Sequence, residues 1–396
     1  MLSALPYHLL TTEYFKAQPQ VWNYFSNNTY KSEQMIAFKA DLLKNSYKFD
    51  PLSEPALYDK LQVARDKLGM ATKVTLYQAE NTVEDNASIV YLNGETHILF
   101  SGKIIQLMND EELLAIISHE LSHIQLYTRL NGEVEIADRI ITAIANHQDS
   151  VPAQYETARL FKLYTEIFCD RGALLVTGDY KPIIASLVKL ATGLQTVNAD
   201  SYIKQAEDIF SIDANYKTMG VTHPENFIRA RAVWLWHQKG TDAEPLIQKM
   251  IEGYTGLDEL DLFKQQHVSA ITEQLIRILL SKKWMQTPHT IALAKQYFGQ
   301  IDIGQNPAVE TLSSQIELLH PYLQDYLSYV MYDFAVADKE LEDIPLGYCF
   351  FLGDELKLAQ SFAGAVKKEK KLTDKKTATL KKHSLMEYQK HLTQAG

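Results

Sequence analysis

The chain has 396 residues, of which 46% are hydrophobic and 22% charged, the composition of a folded protein with room for one large domain or two to three ordinary ones. A formal net charge of -10 excludes a general nucleic-acid binder, because phosphate contacts require a basic surface, and makes anionic membranes poor partners for the chain as a whole. Only two cysteines occur, Cys169 and Cys349, which excludes a disulfide framework and suits a reducing compartment, with the cytoplasm as the expected location.

The N-terminal stretch MLSALPYHLLTTEYFKAQPQVW has no cationic start followed by an apolar core, so no signal peptide is expected. No apolar window reaches the roughly 18 to 20 residues needed to cross a bilayer. Residues 1 to about 70 read as helical from the spacing in SEQMIAFKADLLKNSY and PALYDKLQVARDKLG. The period then changes. KVTLYQA (73 to 79), NASIVYL (86 to 92) and ETHILFS (95 to 101) alternate or cluster β-branched residues, and Asn93-Gly94 gives a hairpin signal between the last two. A small antiparallel sheet is expected here and nowhere else.

From about residue 109 the helical period returns. Asn109 with Glu112 reads as a capping box and Asn131-Gly132 as a stop, giving one helix of about five turns. Further helices are expected near 133 to 147, 152 to 177 with Ser150 as cap and Gly178 as stop, 182 to 194 and 225 to 239. Residues from about 258 onward are helical in pattern throughout. The fold class is mainly α with a small antiparallel β-sheet (α+β), divided into an N-terminal helical segment (1–60), a central domain (61–240) and a helical C-terminal region (241–396). The lysines of KKEKKLTDKKTATLKK, from Lys367 to Lys382, form the one basic run and read as a solvated helix face.

The candidate site is in NDEELLAIISHELSHIQLYTRLN, residues 109 to 131. Residues four apart on a helix share a face, so His119 and His123 can hold one ion through their imidazoles. Glu120 is rotated by about 100° from His119, the position of a general base acting on water rather than of a ligand. A catalytic zinc of this kind needs a third protein ligand. Two histidines on a half-buried helix can also hydrogen-bond within a core; against that, Ser118, His119, Glu120, Ser122 and His123 put a polar cluster into an otherwise apolar helix, which is costly without ionic or metal partners. Downstream, KLYTEIFCDRGALL sets Glu166 and Asp170 four apart among Leu163, Ile167, Phe168 and Leu174. Glu166 can supply the third ligand, and Asp170 can accept a hydrogen bond from the far nitrogen of a ligand histidine.

HELSH followed by EIFCD resembles the zinc metallopeptidases that include the HtpX heat-shock proteases, the type 1 CAAX prenyl proteases and the mitochondrial Oma-type proteases. NASIVYLNGETHILFSGKIIQLMNDEELLAIISHE is similar to that family's Asn-Ala edge strand, hairpin and acidic helix start, and VTHPENFIRARA to its THPxxxxR segment. Together these motifs cover about residues 60 to 235. The resemblance implies a zincin-like (gluzincin) core holding one zinc ion on His119, His123 and Glu166, with Glu120 as base and Asp170 supporting a ligand. It implies further that Asn86 and Ala87 open the strand that receives substrate, that His223 faces the cleft and stabilises the oxyanion, and that Arg229 positions substrate or structure. The substrate implied is a protein or peptide in extended form, cut as by a zinc endopeptidase.

Ser122 stands where the family commonly has Gly, and Cys169 where Ala is usual; Cys169 is expected to point away from the Glu166 face as a plain buried thiol. The membrane helices of many relatives have no counterpart here, so prenylated or membrane-embedded substrates are not implied. YDFAVADKELEDIPLGYCFFLG resembles TerB-like helical modules, with Lys339 in place of their Gly. The C-terminal helices are candidates for covering the cleft, binding a partner, self-association or holding the enzyme latent. The rival reading is a helical adaptor or scaffold whose metal site is structural or idle; Glu120 argues against it, because a structural zinc site has no use for an unliganded carboxylate beside the metal.

Overall fold

The helical period gives way to β-branched alternation once along the chain, and the computed structural model, which describes residues 2–27, 31–80, 82–92, 95–253, 256–304 and 308–395, follows that change. The chain divides into two units, Met1–Tyr254 and Thr255–Gly396. The first runs α1 (Pro6–Lys16), α2 (Pro19–Ser26), α3 (Lys31–Asn45), β1 (Ser46–Lys48), α4 (Pro55–Leu68), β2 (Lys73–Ala79), β3 (Asn86–Leu92), β4 (Glu95–Ser101), α5 (Ile104–Leu107), α6 (Asp110–Tyr127), α7 (Glu133–Ala145), α8 (Pro152–Thr177), α9 (Tyr180–Thr192), α10 (Ala199–Ile212), α11 (Asn226–Lys239) and α12 (Glu244–Glu252). The second is helical: α13 (Leu262–Leu279), α14 (Pro288–Tyr297), α15 (Val309–Glu317), α16 (Pro321–Val336), α17 (Ile344–Glu355), α18 (Ala359–Glu369) and α19 (Asp374–Ala395). No described helix is long and apolar enough to cross a membrane.

The sheet corrects the antiparallel expectation. It has four strands in the order β1-β2-β4-β3, with β2 and β4 parallel and the two outer pairs antiparallel. Burial explains the order. Thr96, His97, Ile98 and Phe100 of β4 are buried, so β4 takes an inner position, whereas β3 alternates exposed and half-buried residues and suits an edge. Placing β3 outside β4 leaves β2 and β4 side by side and pointing the same way. β1 lies in a stretch that reads as helical; its three residues pair with β2 from Ser46↔Ala79 to Lys48↔Tyr77, a tertiary pairing with no local signal. β3 and β4 pair from Asn86↔Ser101 to Leu92↔Glu95, and the Asn93-Gly94 hairpin signal lies outside the described residues.

The expected capping box is present: the Asn109 side chain accepts from the Glu112 amide and the Glu112 carboxylate from the Asn109 amide, both at 2.9 Å. This fixes where α6 starts and hence which face carries the histidines. Ser150 does not cap α8; the cap is Val151, whose amide donates to the Gln154 side chain at 3.0 Å, with Pro152 at the first helical position, where a missing N–H costs nothing. Gly178 ends α8 at φ 72°, a left-handed conformation that favours glycine.

α6 and α8 cross in close contact. A Cβ on Gly172 would collide with the Ser122 hydroxyl, so a small residue on α8 lets the two helix backbones approach, and Ser122 satisfies its own hydroxyl on the Ser118 carbonyl at 2.7 Å. Around this crossing a core of Leu61, Leu68, Leu76, Ile98, Phe100, Ile117 and Leu121 joins α4, the sheet and α6. The second unit has its own core, built on Phe334, Phe350, Phe362, Met331 and Leu327.

Candidate metal centre and cleft

Two buried helices bring four of the expected residues together. From α6, His119 and His123 stack edge to face with ring centroids 5.2 Å apart. From α8, Glu166 meets both imidazoles: its Oε2 lies 3.4 Å from His119 Nε2 and its Oε1 3.6 Å from His123 Nε2. His119 Nδ1 is 2.9 Å from Asp170 Oδ1. That contact leaves Nε2 facing Glu166 and fixes the ring.

Arg229 completes this arrangement from α11. Its Nη2 and Nε donate to the two Asp170 oxygens at 2.6 and 2.8 Å, and its Nη1 lies 3.4 Å from Glu166 Oε2. The planar guanidinium thus clamps the carboxylate that holds His119. His223 reaches the site from the loop before α11, with Nε2 3.6 Å from Glu166 Oε1 and Nδ1 2.9 Å from the Thr222 hydroxyl. That loop is built firmly: Glu225 accepts from the Thr218 hydroxyl at 2.6 Å and the Met219 amide at 2.9 Å, and Arg159 donates to the Gly220 carbonyl at 2.8 Å.

The protein groups alone set strongly unequal protonation. Burial pushes the Glu120 carboxyl up to about 7 and the His123 imidazole down to about 4. Burial also works against charge on His119, yet its contacts with the Asp170 and Glu166 carboxylates prevail and lift it to about 10. Despite burial, the His119 contact and the Arg229 charge hold Glu166 well below the usual carboxylate range, and Arg229 does the same for Asp170.

The donors fit a divalent metal. Among the described residues Glu166 Oε2 is buried without a hydrogen bond, its Arg229 neighbour being an ion-pair contact at 3.4 Å, so it keeps capacity to accept a metal, and two imidazole nitrogens face the same carboxylate. Cys169 corrects an expectation: instead of pointing away, it offers its Sγ within 4.8 Å of ligand atoms of His119 and His123. Three residues on a helix turn through about 300°, so Cys169 shares a face with Glu166. In the protein alone, burial and the neighbouring carboxylates push its thiol well up.

These residues line one cleft of about 770 Å³. Asn86 to Tyr91 of the edge strand β3 form one wall, and Glu120, Asn226 and Arg229 also face in. Asn86 begins β3 and accepts from the Ala87 amide through its side chain at 2.9 Å. α9 is locked beside the start of α6 by a buried Lys189–Glu112 pair at 2.8 Å. Among the lining residues that escaped sequence reading are Tyr127 and Asp138. Tyr127 is one helical turn past His123 and continues its face, a signal available from spacing; Asp138 approaches from α7, and only the tertiary fold brings it there.

An HExxH helix crossed by a Glu-x-x-x-Asp helix, beside an exposed sheet edge, defines the class of zinc metallopeptidases. Residues 51–236 match the model of peptidase family M48 and form a domain of that family. Plastoglobule-localized metallopeptidase 48, chloroplastic, of Arabidopsis thaliana is 24% identical over 177 residues, covering 41% of this chain and 51% of that protein. The chain thus spans about half the length of the curated relative it matches. No solved structure matches the chain.

Proposed function

We propose that the chain is a zinc-dependent endopeptidase acting on extended or unfolded protein segments, with His119, His123 and Glu166 holding one zinc ion. The observation that carries this reading is the buried Glu166 carboxylate, whose Oε2 faces His119 and whose Oε1 faces His123, with the unliganded Glu120 beside them. A zinc ion there would acidify a water molecule and withdraw charge from the scissile carbonyl. Glu120 takes the proton from the attacking water and passes it to the leaving amine, a role suited to a carboxyl already raised to about 7 by burial. Asp170, clamped by Arg229, keeps the His119 ring in one orientation and tautomer, so Arg229 acts here as a positioning residue. His223, exposed at the cleft, donates to the developing oxyanion. The open edge of β3 from Asn86 and Ala87 onward receives the substrate backbone as an added strand, which reads little sequence and requires an unfolded or looped segment. Two buried free thiols are in keeping with a reducing compartment such as the cytoplasm.

The adaptor reading has Glu120 against it, because that buried carboxyl has no ion-pair partner among the described residues. The test is mass-spectrometric digestion of a pool of unstructured peptides. Cleavage is expected from zinc-loaded protein, lost on chelation and restored by zinc. Protein that binds zinc but cleaves nothing supports the adaptor.

A further inference from the structure

The two ends of the cleft differ in chemistry, and the difference specifies a substrate. Ile116 and Tyr127 both line it from α6, eleven residues and therefore about 16 Å apart along the helix, with His119 and His123 between them. At the Ile116 end the wall is uncharged and mostly apolar, with Ile183, Leu187 and Leu190 of α9 beside Ser186 and Asn226. At the Tyr127 end α7 contributes Glu135, Asp138 and Arg139.

Arg139 is spent on Glu135, at 3.2 Å. Among the described residues Asp138 meets only hydroxyls: Tyr127 donates to Oδ2 at 3.3 Å and Thr142 to Oδ1 at 3.5 Å, both long for O–H donors. The charge of Lys162 reaches Asp138, but no cation forms an ion pair with it among the described residues. Burial holds its carboxyl above the usual range, the mark of a desolvated anion short of a countercharge. A cation arriving from the cleft would supply that countercharge.

We propose that Asp138, with Tyr127, forms a subsite for a lysine or arginine side chain of the substrate. This rests on the endopeptidase reading and adds the substrate class. Tyr127 lies four residues, about 6 Å, past His123, and an extended substrate advances roughly 3.3 Å per residue. The basic residue therefore sits about two residues from the scissile bond, on the α7 side.

The test uses full-length zinc-loaded protein and three peptide series differing at that position, with lysine, norleucine or glutamate, read by kcat/KM. The lysine peptide is expected to exceed norleucine about tenfold, Asp138→Asn to bring that ratio close to one, and Asp138→Lys to shift preference to glutamate. Anisotropy binding of the same peptides to the Glu120→Gln variant, alone and combined with Asp138→Asn, reads the preference without turnover. Equal binding of lysine and norleucine peptides, or a lysine preference untouched by Asp138→Asn, overturns the subsite. If nothing is cut but the Asp138-dependent binding preference is present, the subsite stands and the endopeptidase reading falls.

Discussion

The two units bury different kinds of side chain. Met1–Tyr254 encloses Glu112, Glu120, Glu166, Asp170, Arg171, Lys189 and Arg229 together with His8 and His97. Among the described residues of Thr255–Gly396 only Asp261 and Asp338 are buried and charged, and both cap helical turns, on the Lys264 and Glu340 amides at 2.7 and 3.0 Å. Buried charge costs several kcal/mol unless it is paired. The first unit tolerates that cost on the helices that form the cleft, whereas the second is an ordinary apolar core. Chemistry belongs to the first.

The comparison breaks most sharply at Arg229. Arg229→Ala leaves Asp170 buried without its cation and is expected to destabilise the protein by about 3–5 kcal/mol. It should also weaken metal affinity roughly 10- to 100-fold; denaturant titration and competition with a zinc chelator read the two effects separately. Unchanged metal affinity would make Arg229 a structural residue only. In the second unit, Phe334→Ala, at a fully buried position, should cost about 3–5 kcal/mol as a cavity while leaving the zinc content of the folded protein intact.

Acid sharpens the contrast. His8 is buried against Thr165, Phe161 and Phe168, and burial pushes it from 6.5 down to about 3. The unfolded chain therefore binds a proton that the folded chain refuses between these values. Its contribution is fully present above pH 6.5 and is lost progressively as pH falls toward 3. A His8→Gln variant should flatten the decline of Tm across that window; an unaltered slope would assign the acid sensitivity elsewhere. The smallest effect belongs to the exposed Lys381–Asp354 pair at 3.1 Å, whose removal by Lys381→Ala should change stability by less than about 1 kcal/mol.

Much of the site was legible because it is written at helical spacing. His119 and His123, then Glu166 and Asp170, are each four apart, and a capping box and a stop glycine frame their helices. What spacing could not supply is which helices meet. Arg229 read as a residue with an open role until α11 brought it onto Asp170, and Asp138 carried no motif. Cys169 was misjudged by a rotation of one helical step. The sheet was legible in its strands but not its order, because β1 is too short for a period and strand order depends on which strand the helices bury.

The most direct test of the zinc hydrolase is native mass spectrometry of zinc-loaded wild type and Glu120→Gln, with peptide hydrolysis measured on the same samples. One zinc per chain is expected in both, with cleavage in the wild type and a loss of roughly 10²- to 10⁴-fold in the variant. Cleavage that survives in Glu120→Gln, or wild-type protein that takes up no zinc, would contradict the account.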